Sequence, residues 1–142
     1  MAEGSLLAGI ALANAGAGVV HALSYPLGAR FHIPHGVACG VLFPYVTEVN
    51  LSANVPKYAT VARMLGVDTD RLSLQEAAGK NVEAIKALNK DIGIPFHLRD
   101  LGVPRQALEE MAIATMDISR LLANNPRPLT LDKVRQIWQN AW

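Results

Sequence analysis

Three of the chain's four histidines, His21, His32 and His35, fall between Gly18 and Gly36. Imidazole is the side chain that changes charge near neutral pH, and in its neutral form it is a common metal ligand. His21 and His35 stand on either side of a break. An apolar, small-residue helix is expected to run up to Ser24 and Tyr25 and stop at Pro26 and Gly28, with a short link to a restart at Pro34. A turn there would bring the two rings to one point, where they either pack against each other or grip a metal. Tyr25 sits one helical turn on from His21, on the same face, so its hydroxyl can reach the place where the His21 ring points. His32 lies in the link and reads as exposed or structural, a weaker candidate for a third ligand. His97, in a loop after Pro95, reads as a local hydrogen-bonding residue. No Cys-x-x-Cys, His-Glu-x-x-His, Gly-x-Ser-x-Gly or phosphate loop is present. Gly16-Ala-Gly18 is not a dinucleotide loop, because no strand precedes it and the third glycine is missing.

The elements that must position these residues read as helices throughout. Residues 5 to about 25 form one helix capped by Ser5, with alanine and glycine on nearly every face. A helix apolar all round belongs at the centre of a fold. Glycine inside a helix costs about 1 kcal/mol relative to alanine, so Gly16 and Gly18 suggest a close approach by another backbone or a ligand. A second helix is expected from about residue 35 to 53, kinked or split at Pro44. A short helix at 57–65 ends at Gly66. Ser73-Leu-Gln-Glu76 is a capping box that opens a helix to about Asp91, terminated by Gly93 and Pro95. Pro104 begins another helix, and Thr130 caps the last, with Val134, Ile137 and Trp138 on one face. No stretch alternates with period two for long enough to be a strand. The expected fold is all-α, a bundle of six or seven helices.

At 142 residues one domain is expected. Hydrophobic residues make up 51% and charged residues 18%, against roughly 25% charged in an ordinary soluble domain. The deficit reads as surface meant to be covered. A net charge of +1 with no block of like charge points away from nucleic acid and from an anionic membrane. Cys39, the only cysteine, rules out an internal disulfide and fits a reducing, cytoplasmic setting. Leu6 to Val20 has the apolar character of a signal-peptide core, but no basic stretch precedes it and it is too short to span a bilayer.

The segment Gly18-Val-Val-His21-Ala-Leu-Ser-Tyr25-Pro-Leu-Gly28, then Ile33-Pro-His35-Gly36-Val-Ala, Leu42-Phe-Pro44-Tyr-Val46 and Asn50, resembles the signature of the iron-containing (group III) alcohol dehydrogenases. Gly93-Ile-Pro95, Leu98-Arg-Asp-Leu-Gly102-Val and Asn125-Pro-Arg-Pro-Leu-Thr130 resemble that family's closing segments, so the likeness runs along essentially the whole chain. The resemblance implies a dehydroquinate synthase-like helical domain, 1–142, taken from a longer two-domain enzyme. An N-terminal nucleotide-binding domain, here absent, would bind NAD or NADP, and the substrate would be a small alcohol or aldehyde. The family holds one divalent metal, iron most often and zinc in some members, with an aspartate and three histidines. His21 and His35 match the last two histidines. Many relatives carry a histidine at position 25, close to the nicotinamide. Tyr25 departs from that form, and a catalytic and cofactor-binding role for it is carried over from the position. The chain by itself is expected to be inactive, since two ligands fall short of the three that a catalytic site needs. Two other readings stand beside this one. The first is a non-catalytic helical interaction domain that self-associates through its uncovered apolar face. The second is a stand-alone metal sensor, which would need carboxylates that this apolar stretch does not offer.

Overall fold

A computed structural model describes residues 1–142 as eight α-helices with three short 3-10 turns and no strand. In chain order the helices are α1 (Ala2–Ala15), α2 (Val19–Phe31), α3 (His35–Asn50), α4 (Val55–Met64), α5 (Leu74–Asp91), α6 (Leu108–Met116), α7 (Ser119–Ala123) and α8 (Leu131–Ala141). The all-α expectation holds. The count exceeds six or seven because residues 5–25 do not form one helix, and because the five-residue α7 is too short for a periodic pattern to reveal.

The core is built on the neighbouring helices α2 and α3, with α6 packed on α2 and on α8, and α5 and α8 packed on α3. Val19, Leu23 and Leu27 of α2 meet Val41, Leu42 and Val46 of α3, Met111 of α6 and Val134, Ile137 and Trp138 of α8. Trp138 is fully buried and its indole N–H donates to Thr115 Oγ1 at 3.3 Å, so the polar edge of the largest core side chain is satisfied. A smaller alanine cluster, Ala59, Ala77 and Ala78, joins α4 to α5. The Ser73 capping box is formed: Glu76 N–H donates to Ser73 Oγ at 3.3 Å and Ser73 N–H to Glu76 Oε2 at 2.9 Å.

The break falls elsewhere than expected. Pro26 and Gly28 lie inside α2 and the chain stays helical to Phe31. Proline's fixed φ suits a helix, and the lost backbone bond is offset by the burial of Pro26 and Leu27. The interruption is at Gly16–Gly18, where Gly16 takes φ 73° and ψ 171° and α1 leaves α2 at 103°. That backbone region is open essentially to glycine alone. A Cβ on Gly16 would lie 2.6 Å from Asn124 Nδ2, which donates to Ala17 O at 3.0 Å. The expected close approach therefore exists at Gly16 and comes from a side chain, whereas nothing lies within 4 Å of a Cβ on Gly18. Pro44 likewise leaves α3 unbroken from His35 to Asn50.

The placement of α1 also differs from the central position expected for an all-apolar helix. It buries none of its residues, and Leu6, Leu7, Ile10 and Leu12 are each about half exposed or more. A helix apolar on every face is dressed for burial, yet it departs from the bundle at Gly16 and nothing in this chain covers it. No single helix is long and apolar enough to cross a membrane.

Candidate metal centre

His21 is on the first turn of α2 and His35 is the first residue of α3. The reversal between the helices is made by His32, whose φ of 53° places it in the left-handed region as the C-cap of α2. Ile33 then buries, and Pro34 sets the entry to α3. The hairpin brings the imidazoles together: His21 Nδ1 and His35 Nε2 are 3.1 Å apart and the ring centroids 5.0 Å apart. The expected convergence is thus present, with His21 at the start of its helix rather than near its end. His32 serves the turn and is not among the clustered ligand atoms. His97 is held locally by its backbone N–H, which donates to Asp100 Oδ2 at 3.3 Å, and its ring Nδ1 lies 3.3 Å from Tyr45 Oη of α3. Tyr25 is 46% exposed, its ring centroid 6.3 Å from that of His35.

Two residues at the site escaped the sequence reading. Ser24, 1% exposed, donates its hydroxyl proton to His21 O at 2.9 Å, and its Oγ is 3.2 Å from His35 Nδ1. The single hydroxyl proton is committed to a carbonyl, which can only accept. The Ser24 oxygen must therefore accept from His35 Nδ1–H, and this fixes the tautomer. The lone pair of His35 is left on Nε2, the nitrogen that faces His21. Partners of this kind orient metal-binding imidazoles. The second is Cys39, whose Sγ is 3.6 Å from His35 Nε2. Its spacing of four from His35 on α3 was the available signal, since i and i+4 share a helix face.

Burial, and then the neighbouring His35, hold the His21 imidazole below its ordinary pKa. Burial pushes the Cys39 thiol up. A neutral His21 ring keeps a lone pair for a metal at neutral pH. The ligand-type atoms of His21, His35 and Cys39 all lie within 4.8 Å of one another, with no carboxylate in the group. Two nitrogens on a tetrahedral ion with bonds of 2.0–2.1 Å sit about 3.3 Å apart, so the observed spacing suits a shared metal. Beside the cluster opens a cleft of about 490 Å³ with His21 and Cys39 on its wall, together with Gly18, Phe43, Thr47 and Asn50. Asn50 and Asn125 exchange amide hydrogen bonds of 2.8 and 2.9 Å, and Arg127 donates to Val49 O at 2.9 Å. Asn125 and Pro126 thereby stand on the cleft wall beside Asn50.

Comparison with known proteins gives a consistent picture. The sequence model described as the Fe-containing alcohol dehydrogenase family, C-terminal, matches residues 1–142. Lactaldehyde reductase of Escherichia coli (strain K12) is 42% identical over 142 residues, which is all of this chain and 37% of that protein. The 1,3-propanediol dehydrogenase of Citrobacter freundii is 43% identical, again over the whole chain and 36% of its own length. A crystal structure of 1,3-propanediol oxidoreductase superposes with a TM-score of 0.93 at 42% identity, covering 97% of this chain and 36% of that one. An alcohol dehydrogenase from Oenococcus oeni superposes with a TM-score of 0.90 at 38% identity, covering 96% of this chain and 35% of that one. The chain therefore spans little more than a third of the length of the relatives it matches.

Proposed function

The chain belongs to the Fe-containing alcohol dehydrogenase family, and from that premise we propose that it is the metal-binding helical part of a two-part enzyme. The whole enzyme would move a hydride between an alcohol or aldehyde and NAD or NADP. The observation that carries this reading is the approach of His21 Nδ1 and His35 Nε2 to 3.1 Å at the wall of an open cleft. In this proposal both imidazoles are metal ligands, with iron or zinc as the ion and a cytoplasmic setting. The remaining protein ligands, an aspartate and a histidine, would come from the part of the enzyme upstream of this chain. When bound, the metal would supply Lewis-acid chemistry, polarising the substrate oxygen and lowering the pKa of an alcohol.

The chain's own residues do the holding. Ser24 keeps the His35 proton on Nδ1, and so keeps Nε2 free. Phe43, half exposed on the cleft, and Val46 offer an apolar wall for a substrate's carbon chain. Tyr25 would flank the nicotinamide, exposed on the face that the other half covers. A dehydrogenase assay tests the division of labour. The chain with metal and NAD or NADP should give no turnover, and adding the whole upstream remainder of a related enzyme should restore it. Robust turnover by the chain alone would reject this reading.

A second reading rests on α1. Its uncovered leucines and isoleucine favour a helical interaction domain that self-associates and does no redox chemistry. Under it, metal binding would leave the chain's assembly and stability unchanged.

A further inference from the structure

Cys39 is the chain's one cysteine, and neither the motif likeness nor the relatives' activities gives it a role. It stands four residues after His35 on the first turns of α3, so its thiol and that imidazole share a face. Its Sγ is 3.6 Å from His35 Nε2, and all three candidate ligand atoms lie within 4.8 Å of one another. A tetrahedral ion bonded to nitrogen at 2.0–2.1 Å and to sulfur at 2.3 Å holds those two atoms about 3.6 Å apart. The thiol therefore already occupies the distance from His35 that a shared ion would impose. It also lies on the wall of the 490 Å³ cleft, so an ion and its water have a way in.

We infer that Cys39 supplies a thiolate as a third ligand to an ion held by His21 and His35. This deepens the metal-binding reading above and rests on it. The chain then offers two imidazoles and one thiolate, the donor set of a three-ligand site with one position open. On binding, the S–H bond breaks, the proton passes to buffer and a metal–sulfur bond forms, with no electron transfer. A soft sulfur donor turns the site towards zinc and cobalt and away from magnesium or manganese. With only this chain's donors, the site would be of the His-His-Cys zinc type.

Cobalt(II) titration of the 142-residue chain, under a phosphine reductant, tests the assignment. The wild-type chain should show visible d–d bands together with a near-ultraviolet sulfur-to-cobalt charge-transfer band. Cys39→Ser, nearly the same size, should lose the charge-transfer band and bind cobalt at least about tenfold more weakly, since loss of an outer-shell partner alone costs 10–100-fold. Saturating zinc should also slow alkylation of Cys39 by iodoacetamide in the unmutated protein, a readout that does not depend on how the variant folds. Visible bands without the charge-transfer band, with equal cobalt affinity in Cys39→Ser, would overturn the thiolate ligand and leave the two-histidine reading standing. Absence of any cobalt binding by the wild-type chain would overturn both.

Discussion

Ser24 shows how much a single buried hydroxyl can decide. Its proton goes to His21 O, so its oxygen takes the proton of His35 Nδ1 and the free lone pair of His35 points at His21. Ser24→Ala should keep the helices, since the side chain is small and within α2, yet release the His35 tautomer. Isothermal titration should show zinc or iron affinity falling by about tenfold or more, with an unchanged far-ultraviolet spectrum. Gly16 is the other residue whose identity is forced. Its φ of 73° and ψ of 171° are strained for any side chain, and Asn124 occupies the space a Cβ would need. Gly16→Ala should lower the unfolding free energy by about 1–3 kcal/mol in a urea titration. The pairing of His21 with His35 was legible from spacing around a turn. The role of Ser24 was not, because it depends on which side of α2 meets α3. Cys39 was legible in principle as His35 plus four, but one cysteine in an apolar helix looks like any small core residue.

Elements were legible where punctuation and periodicity agreed. The Ser73 box and the start of the last helix at Thr130 are local hydrogen-bond chemistry, so a few residues suffice to read them. The α1–α2 break misled because Pro26 and Gly28 are breakers in isolation, while Gly16 in a run of alanine is not. Packing of Pro26 and Leu27 into the core overrides the local signal. Between elements, two ion pairs act as straps. Arg30 pairs with Glu110, joining α2 to α6, and Arg135 donates to Glu109 Oε2 at 2.9 Å, joining α8 to α6. Hydrogen bonds from the guanidinium groups hold both carboxyls below their usual range. A carboxyl depressed in the folded state binds a proton more readily once unfolded. Its stabilisation is therefore complete above the ordinary value of 4.5 and lost as pH falls through the folded value. Thermal melts should show the wild type losing melting temperature on acidification below that point, and the double variant Glu109→Gln, Glu110→Gln losing less. Equal losses would mean the straps contribute nothing.

For the whole molecule, the low charge content and the bare α1 describe one feature. A chain with 18% charged residues leaves apolar surface, and most of what is left uncovered at the N-terminal end is Leu6, Leu7, Ile10 and Leu12. The fold class followed from composition and period, but the position of α1 did not, because a helix apolar on every face does not say which neighbour covers it. This bare apolar face is the one that the second reading uses for self-association. Replacing Leu6 and Ile10 by glutamate should then reduce self-association of the chain in sedimentation velocity without shifting its melting temperature, since neither side chain is buried. A coincident loss of stability would show that α1 packs against the bundle after all.

In the proposed function His21 and His35 act together on one ion. Isothermal titration of the metal-free chain with zinc tests that most directly. The wild-type chain should bind one equivalent, and His21→Ala and His35→Ala should each abolish that binding while retaining helical content. Wild-type-like zinc binding by both variants would contradict the central claim.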